Sequence, residues 1–172
     1  MINWTYFTKN KRPDKISECV VKAFESVAAD IDSTTHKYIS DEVLAIVRPK
    51  LEGTGFVVEQ SKRKKDKVAV PVLFGQNGKI EKSFEADAYM EDAHYVVEVE
   101  AGRAVANYQF LKDFFEASTM SDVDKLCIAV RNVYSTGSMT SNDFKKVCTF
   151  FEAMYASGRL GIPLSGILIV GY

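Results

Sequence analysis

Histidine and cysteine are scarce in this sequence, and their scarcity excludes several kinds of site. The two histidines, His36 and His94, are too few for a metal centre built on imidazole ligands. The three cysteines, Cys19, Cys127 and Cys148, have no CxxC spacing and lie in apolar stretches. This usage argues against a zinc site and favours a reduced, intracellular chain, so we expect a cytoplasmic protein.

Other absences narrow the classes of function further. No run of about 18 apolar residues occurs, so we expect no transmembrane segment, and residues 1–6 do not resemble the start of a secretory signal. A glycine-rich phosphate loop, a serine nucleophile elbow and a Cys/His pair are all missing, which argues against Walker-type nucleotide hydrolysis and acyl transfer. The formal net charge of −1 gives no support for nucleic-acid binding, so that argument depends on how the charges are distributed.

The length and composition are those of one folded domain. The chain has 172 residues, 47% of them hydrophobic, and we expect a single domain over 1–172 that opens with a helical pair at about 14–52. The predicted helices are 15–29, 40–52, 103–118 and 141–155, and the predicted strands are 56–60, 68–74, 79–89, 95–100, 126–130 and 164–170. This order predicts a mixed α/β fold, in which a three-strand antiparallel meander and parallel-type strands form one sheet flanked by helices.

The strongest candidate for a functional site in the sequence is a group of acidic residues. Residues 81–100 contain seven acidic side chains and one basic side chain. Because side chains alternate along a strand, Glu85 and Asp87 share one face of their strand, and Glu98 and Glu100 share one face of theirs. If the chain turns near residues 91–92, the two pairs meet and their charges repel. A hard divalent cation would remove that conflict, whereas a water-facing acidic hairpin is the alternative that involves no ligand.

These residues resemble a known nuclease signature. Asp87, followed eleven residues later by Glu98-Val99-Glu100 on the next strand and then by a helix, is similar to the PD-(D/E)xK pattern. The segment 96–103 and the following helix resemble type II restriction endonucleases of the BglII and BamHI kind. The resemblance implies a restriction-endonuclease-like fold and a Mg²⁺-dependent endonuclease, with Mn²⁺ as a substitute metal, that hydrolyses double-stranded DNA.

The resemblance also implies roles for individual residues. Asp87 and Glu98 would bind the metal together with the backbone carbonyl of Val99. Glu100 stands where the family usually has lysine, and either binds a metal or acts as a general base. Glu85 would be an auxiliary acid. Cleavage at a palindromic DNA sequence would require a homodimer. The resemblance also makes a cognate methyltransferase a possible partner.

Basic residues near the acidic strands suit phosphate contacts. The expected nucleic-acid contacts are Lys62, Arg63, Lys64, Lys65, Lys67 and Arg103. Two other functions stay open: a catalytically inactive nucleic-acid-binding or regulatory protein on the same fold, and a domain whose acidic face binds a basic protein.

Overall fold

The computed structural model describes residues 1–102, 104–136 and 139–172. In chain order its strands are β1 (Asn3–Phe7), β2 (Val57–Val58), β3 (Val68–Phe74), β4 (Ile80–Ala86), β5 (Ala88–Met90), β6 (Tyr95–Val99), β7 (Lys125–Val130), β8 (Tyr134–Thr136), β9 (Met139–Ser141) and β10 (Gly166–Gly171). Its α-helices are α1 (Lys15–Glu25), α2 (Ala28–Ile31), α3 (Ser40–Glu52), α4 (Gln109–Thr119) and α5 (Asp143–Ser157). None of these helices is both long and apolar enough to cross a membrane.

The central sheet has six strands in the order β1-β10-β7-β6-β5-β2. The three strands β10, β7 and β6 run parallel to one another, while β1, β5 and β2 pair antiparallel with their neighbours. The parallel strands are the apolar runs of the sequence, and all five residues of β6 are buried. Burial of both sheet faces explains why these strands lack the polar alternation of a one-sided sheet.

Helices cover the two faces of this sheet. Alternate residues of β6 separate onto the two faces: Tyr95, Val97 and Val99 pack in the same apolar cluster as the buried sides of α1 and α3. Val96 belongs to the opposite cluster, which contains the buried residues of α4 and α5. The coarse prediction of a mixed α/β fold with flanking helices is therefore confirmed.

The predicted meander is divided between two sheets. Strands β3 and β4 form a separate two-stranded ribbon, joined through Asn77 and Gly78, which both have a left-handed backbone with φ of 60° and 73°. This geometry is the one that an Asn-Gly hairpin turn requires. The predicted strand 79–89 breaks at Asp87, and its second part, β5, joins the central sheet instead. The predicted three-strand meander within one sheet is thus wrong in its pairing, although its chain order is right.

Several other boundaries differ from the prediction. The first helix ends at Glu25 and a separate short helix follows, so residues 14–52 hold three helices rather than a pair. The helix predicted from residue 103 begins only at Gln109, after Tyr108, whose φ of 54° is left-handed and cannot continue a helix. Strands β1, β8 and β9 were not predicted.

Asp14 caps α1, as its sequence position predicts. Its Oδ1 accepts hydrogen bonds from the backbone N–H groups of Ile16 and Ser17, at 2.9 and 3.0 Å. We expect Asp14→Ala to lower the free energy of unfolding by about 1 kcal/mol, because these N–H groups lose their acceptor. Urea denaturation measures the effect. Glu18→Ala is the control, since it removes an acidic charge from the same turn without a cap, and equal losses in the two variants would contradict a capping role.

Candidate active site

The site begins at Asp87, between the ribbon and the central sheet. By extension of the β5–β6 register, in which Ala88 lies opposite Val97, Asp87 lies opposite Glu98. Each acid is also bound to the other strand: the Asp87 N–H donates to Glu98 Oε2 at 3.3 Å, and the Val99 N–H donates to Asp87 Oδ2 at 2.8 Å. The predicted adjacency of Asp87 and Glu98 is therefore present.

Strand alternation adds Glu100 to this pair. Glu98 shares the face of β6 on which Val96 packs, and Glu100 follows two residues later, just beyond the end of the strand. The Glu100 N–H donates to the carbonyl of Ala129 at 2.8 Å, which holds its backbone against β7. The Tyr172 hydroxyl donates to the Glu100 carbonyl at 2.9 Å. Ala129 in β7 and Tyr172, just after β10, thus fix the backbone that carries Glu100.

A fourth carboxylate, Asp113, comes from α4. It is one of the three buried residues of this helix, with Phe110 and Ala117, and is only 5% exposed. The charge of Glu100 is among the causes that raise the pKa of Asp113, so the two carboxyl groups lie near each other. Its Oδ2 is buried without a hydrogen-bond partner among the residues that the structure describes. We call Asp87, Glu98, Glu100 and Asp113 the acid cluster.

Sequence reasoning missed Asp113 because the inward face of its helix was assigned incorrectly. In the helix predicted at 103–118, the apolar residues Val105, Tyr108, Leu111 and Phe115 recur at helical spacing and predict a buried face, yet Tyr108 and Phe115 are 62% and 65% exposed. The buried positions follow Phe110 at helical spacing instead. A charged residue on that face was the available signal, because an acidic side chain is rarely buried without a functional or pairing reason.

Burial raises the pKa of every member of the acid cluster and is the largest cause in each case. Charges of other cluster members add to this effect for Glu98, Glu100 and Asp113. For Asp87 the carboxylates that add to it are Glu59 and Asp41. The pKa is raised to about 6 for Asp87, to about 7 for Glu100 and to about 8 for Asp113. For Glu98, which is 8% exposed, burial and the charges of Asp87 and Asp113 raise the pKa well above its ordinary value. The cluster thus favours either bound protons or a bound cation.

Beside the acid cluster lies a second charged group, which we call the lysine bridge: Lys62 with its partners Asp41 and Glu59. Lys62 Nζ lies 2.8 Å from Asp41 Oδ1 on α3 and 2.9 Å from Glu59 Oε1, just after β2. Glu59 is 4% exposed, and its other carboxylate oxygen binds Lys67 at 2.8 Å. The Glu59 N–H donates to the carbonyl of Asp87 at 2.8 Å. The two groups are therefore joined through the backbone of Asp87.

The other described residues that the sequence assigned to the site lie outside the acid cluster. Glu85 lies on β4 in the ribbon, and its side chain is 62% exposed. It forms an ion pair with Lys67, at 3.2 Å from Nζ, instead of joining Asp87 and Glu98. Lys67 itself is only 15% exposed. Arg63, Lys64 and Lys65 are exposed in and beside a short 3-10 turn. Arg103 lies outside the described residues.

The donor set of the acid cluster fits a hard divalent cation. Mg²⁺ and Mn²⁺ prefer carboxylate and carbonyl oxygen, and the buried Asp113 Oδ2 provides an oxygen without a donor. Within the described residues, however, no three acidic, histidine or cysteine side chains form a ready-made metal site. Asp87 and Glu98 each accept one backbone N–H group on one carboxylate oxygen. A carboxylate has about four acceptor sites, so both side chains keep lone pairs for a cation.

No protein-family model, curated protein or solved structure matches this chain.

Proposed function

We propose that this protein is a Mg²⁺-dependent endonuclease that hydrolyses double-stranded DNA on a restriction-endonuclease-like fold. The observation that carries the proposal is the acid cluster: four carboxylates from β6, α4 and the β4–β5 junction converge beside one end of a parallel strand. Binding sites of open α/β sheets commonly lie at such strand ends. The proposal is supported by the agreement between the positions of Asp87, Glu98 and Glu100 and the PD-(D/E)xK pattern.

The residues divide the work of phosphodiester hydrolysis between them. Asp87, Glu98 and the Val99 carbonyl would hold the cation, and Glu100 would take a proton from the attacking water. Mg²⁺ supplies, when bound, polarisation of a phosphoryl oxygen and a lower pKa for water. Asp113, whose charge and that of Glu100 affect each other, would help to keep Glu100 able to take this proton.

The exposed basic residues Arg63, Lys64 and Lys65 would contact the phosphate backbone. We expect their joint replacement by alanine to weaken DNA binding at least tenfold and to lower the slope of log affinity against log salt by up to about 3, because each lost phosphate contact removes nearly one released counterion. Fluorescence anisotropy across a salt series measures both quantities. The matched control replaces Lys15, Lys22 and Lys50, exposed residues of α1 and α3. Equal effects of the two triple variants would remove the 63–65 turn from the interface.

The test of the function is direct. The purified protein is incubated with supercoiled plasmid, linear phage DNA and structured RNA in Mg²⁺, in Mn²⁺ and in EDTA. Discrete fragments that require a metal and disappear in EDTA are expected for DNA alone. A palindromic cleavage site would call for a homodimer, which analytical ultracentrifugation with and without the DNA detects.

A second function is favoured by two specific observations. The position at which the family usually has lysine carries Glu100, and the acidic side chains are not preorganised around a metal. A catalytically inactive nucleic-acid-binding protein would show both features. DNA binding without cleavage under any of the metal conditions would support that function and contradict the nuclease.

A further inference from the structure

The acid cluster contributes only negative charge to a site that would bind a negatively charged substrate. A phosphodiester is an anion, and hydrolysis concentrates further negative charge on the phosphorus-bound oxygens. The acid cluster adds carboxylates close to the place where that charge would develop. A bound Mg²⁺ would offset part of the negative charge. Position 100, at which the family pattern has a cation, carries a glutamate, so a positive side chain from elsewhere in the fold would offset more of it.

Lys62 is held where such a charge is needed. Its ammonium group is fixed by carboxylates from two different elements, at 2.8 Å from Asp41 and 2.9 Å from Glu59. An ammonium group has three N–H donors, so two anchoring contacts leave one donor for a further acceptor. The Lys62 side chain is also 58% exposed, which leaves the ammonium accessible to a bound nucleic acid.

The backbone places this ammonium next to the acid cluster. Glu59, one anchor of Lys62, donates its N–H to the Asp87 carbonyl. The charge of Lys62 lowers the pKa of Asp87 and of Glu100, against the larger effect of burial. Hydrogen bonds to Asp41 and Glu59 raise the pKa of Lys62, although burial opposes this, so the side chain stays charged at neutral pH.

We infer that Lys62 is a catalytic residue that donates a hydrogen bond to the scissile phosphate, and that the lysine bridge replaces the lysine absent from position 100. This inference rests on the proposed nuclease function. In the step concerned, the oxygen of a water molecule bonds to phosphorus and the bond from phosphorus to the leaving oxygen breaks. One proton passes from the water to Glu100, and the leaving alkoxide takes a proton from solvent.

Two other lysines near the acid cluster fit this role less well. Lys67 binds Glu59 and Glu85, and at 15% exposure its ammonium has little access to a bound duplex. Lys112 is engaged by Glu116, at 3.0 Å, one helical turn along α4. Among these three lysines, Lys62 alone combines two anchoring carboxylates, access to solvent and a backbone link to Asp87.

The rate of single-turnover DNA cleavage by the Lys62→Met variant tests whether Lys62 is catalytic. We expect the rate to fall by about 10² to 10³, the usual effect of removing one donor to a developing oxyanion. DNA affinity in EDTA should change by less than about threefold, since one phosphate contact contributes little to total binding. Lys62→Arg keeps a cation and should recover at least about tenfold of the lost rate.

Lys125→Met is the matched control, because it breaks a partly buried ion pair, the one with Asp14 at 3.5 Å, that belongs to neither the acid cluster nor the lysine bridge. We expect it to leave the cleavage rate within about threefold of the parent. Equal loss of rate in the two variants would make the loss a general consequence of a broken ion pair and overturn the inference. Parental cleavage by Lys62→Met would overturn it as well. Failure of the parent protein to cleave would instead overturn the nuclease function itself.

Discussion

Replacing Asp87 by asparagine is expected to lower the rate of metal-dependent DNA cleavage by at least about 10³ without unfolding the protein. The amide oxygen of asparagine can still accept from the Val99 N–H, as the carboxylate does at 2.8 Å. What the variant loses is the negative charge that would hold the cation. We expect Glu98→Gln to have an effect of similar size, because Glu98 lies opposite Asp87 on the neighbouring strand.

Single-turnover cleavage over a Mg²⁺ series measures this loss, and circular dichroism checks that each variant is folded. Glu81→Gln is the control, since Glu81 is an exposed acidic residue of the ribbon, six residues before Asp87. Both site variants should need more metal or fail to reach the parental rate at any concentration. Parental cleavage by a folded Asp87→Asn would show that the acid cluster is not the active centre.

The stability of the metal-free protein is expected to fall as pH rises from about 4 to about 8. Burial raises the pKa of Asp113 to about 8 in the folded state, against an ordinary value near 4. Between these values the folded chain binds more protons than the unfolded chain, so the free energy of unfolding decreases with pH. Asp87 and Glu100, with pKa values raised to about 6 and about 7, act in the same direction.

Asp113→Asn tests this linkage. The variant removes one buried charge and should be more stable than the parent at pH 8 in EDTA, by on the order of 3 kcal/mol. In a chain of this size that corresponds to roughly 6 to 12 °C in Tm. Near pH 4 the two proteins should melt together, because Asp113 is then protonated in the folded state.

Adding Mg²⁺ at pH 8 should raise the Tm of the parent, since a ligand that binds only the folded state stabilises it. It should raise the Tm of Asp87→Asn less. A parent whose stability rises between pH 4 and 8 without metal would contradict the repulsion within the acid cluster. A Tm of the parent that does not change when Mg²⁺ is added would contradict cation binding at the acid cluster.

The parts of the fold that the sequence predicted are those with local signals. The buried parallel strands are continuous apolar runs, and the ribbon turn has an Asn-Gly pair. The helix predicted at 141–155 is α5, which runs from Asp143 to Ser157 between the capping residues Asn142 and Gly158. The edge strand β1 has no such signal. It is a strand because it pairs with β10, more than 160 residues along the chain. Pairing between distant segments is decided by the whole sheet and not by local composition.

The same division holds for the site. The sequence predicts the adjacency of Asp87 and Glu98, because strand alternation and one turn determine it. Their role as metal ligands stays a prediction. Asp113 could not be placed without the correct helix phase. The lysine bridge depends on how α3 packs beside β2, which no local pattern predicts. From the sequence, the basic residues between positions 62 and 67 all looked like phosphate contacts, but in the structure they differ in exposure and in their partners.

The position of β10 in the sheet affects when the acid cluster can form during synthesis. This strand lies between β1 and β7, and its neighbour Tyr172 is bonded to the backbone of Glu100. A ribosome-bound chain that stops before residue 166 lacks the strand that joins β1 to the rest of the sheet, and also the hydroxyl group that anchors Glu100. Under the proposed function, a nascent chain that still lacks β10 and Tyr172 would not cleave the DNA of the cell that makes it, because the hydroxyl group that supports the backbone of Glu100 is missing.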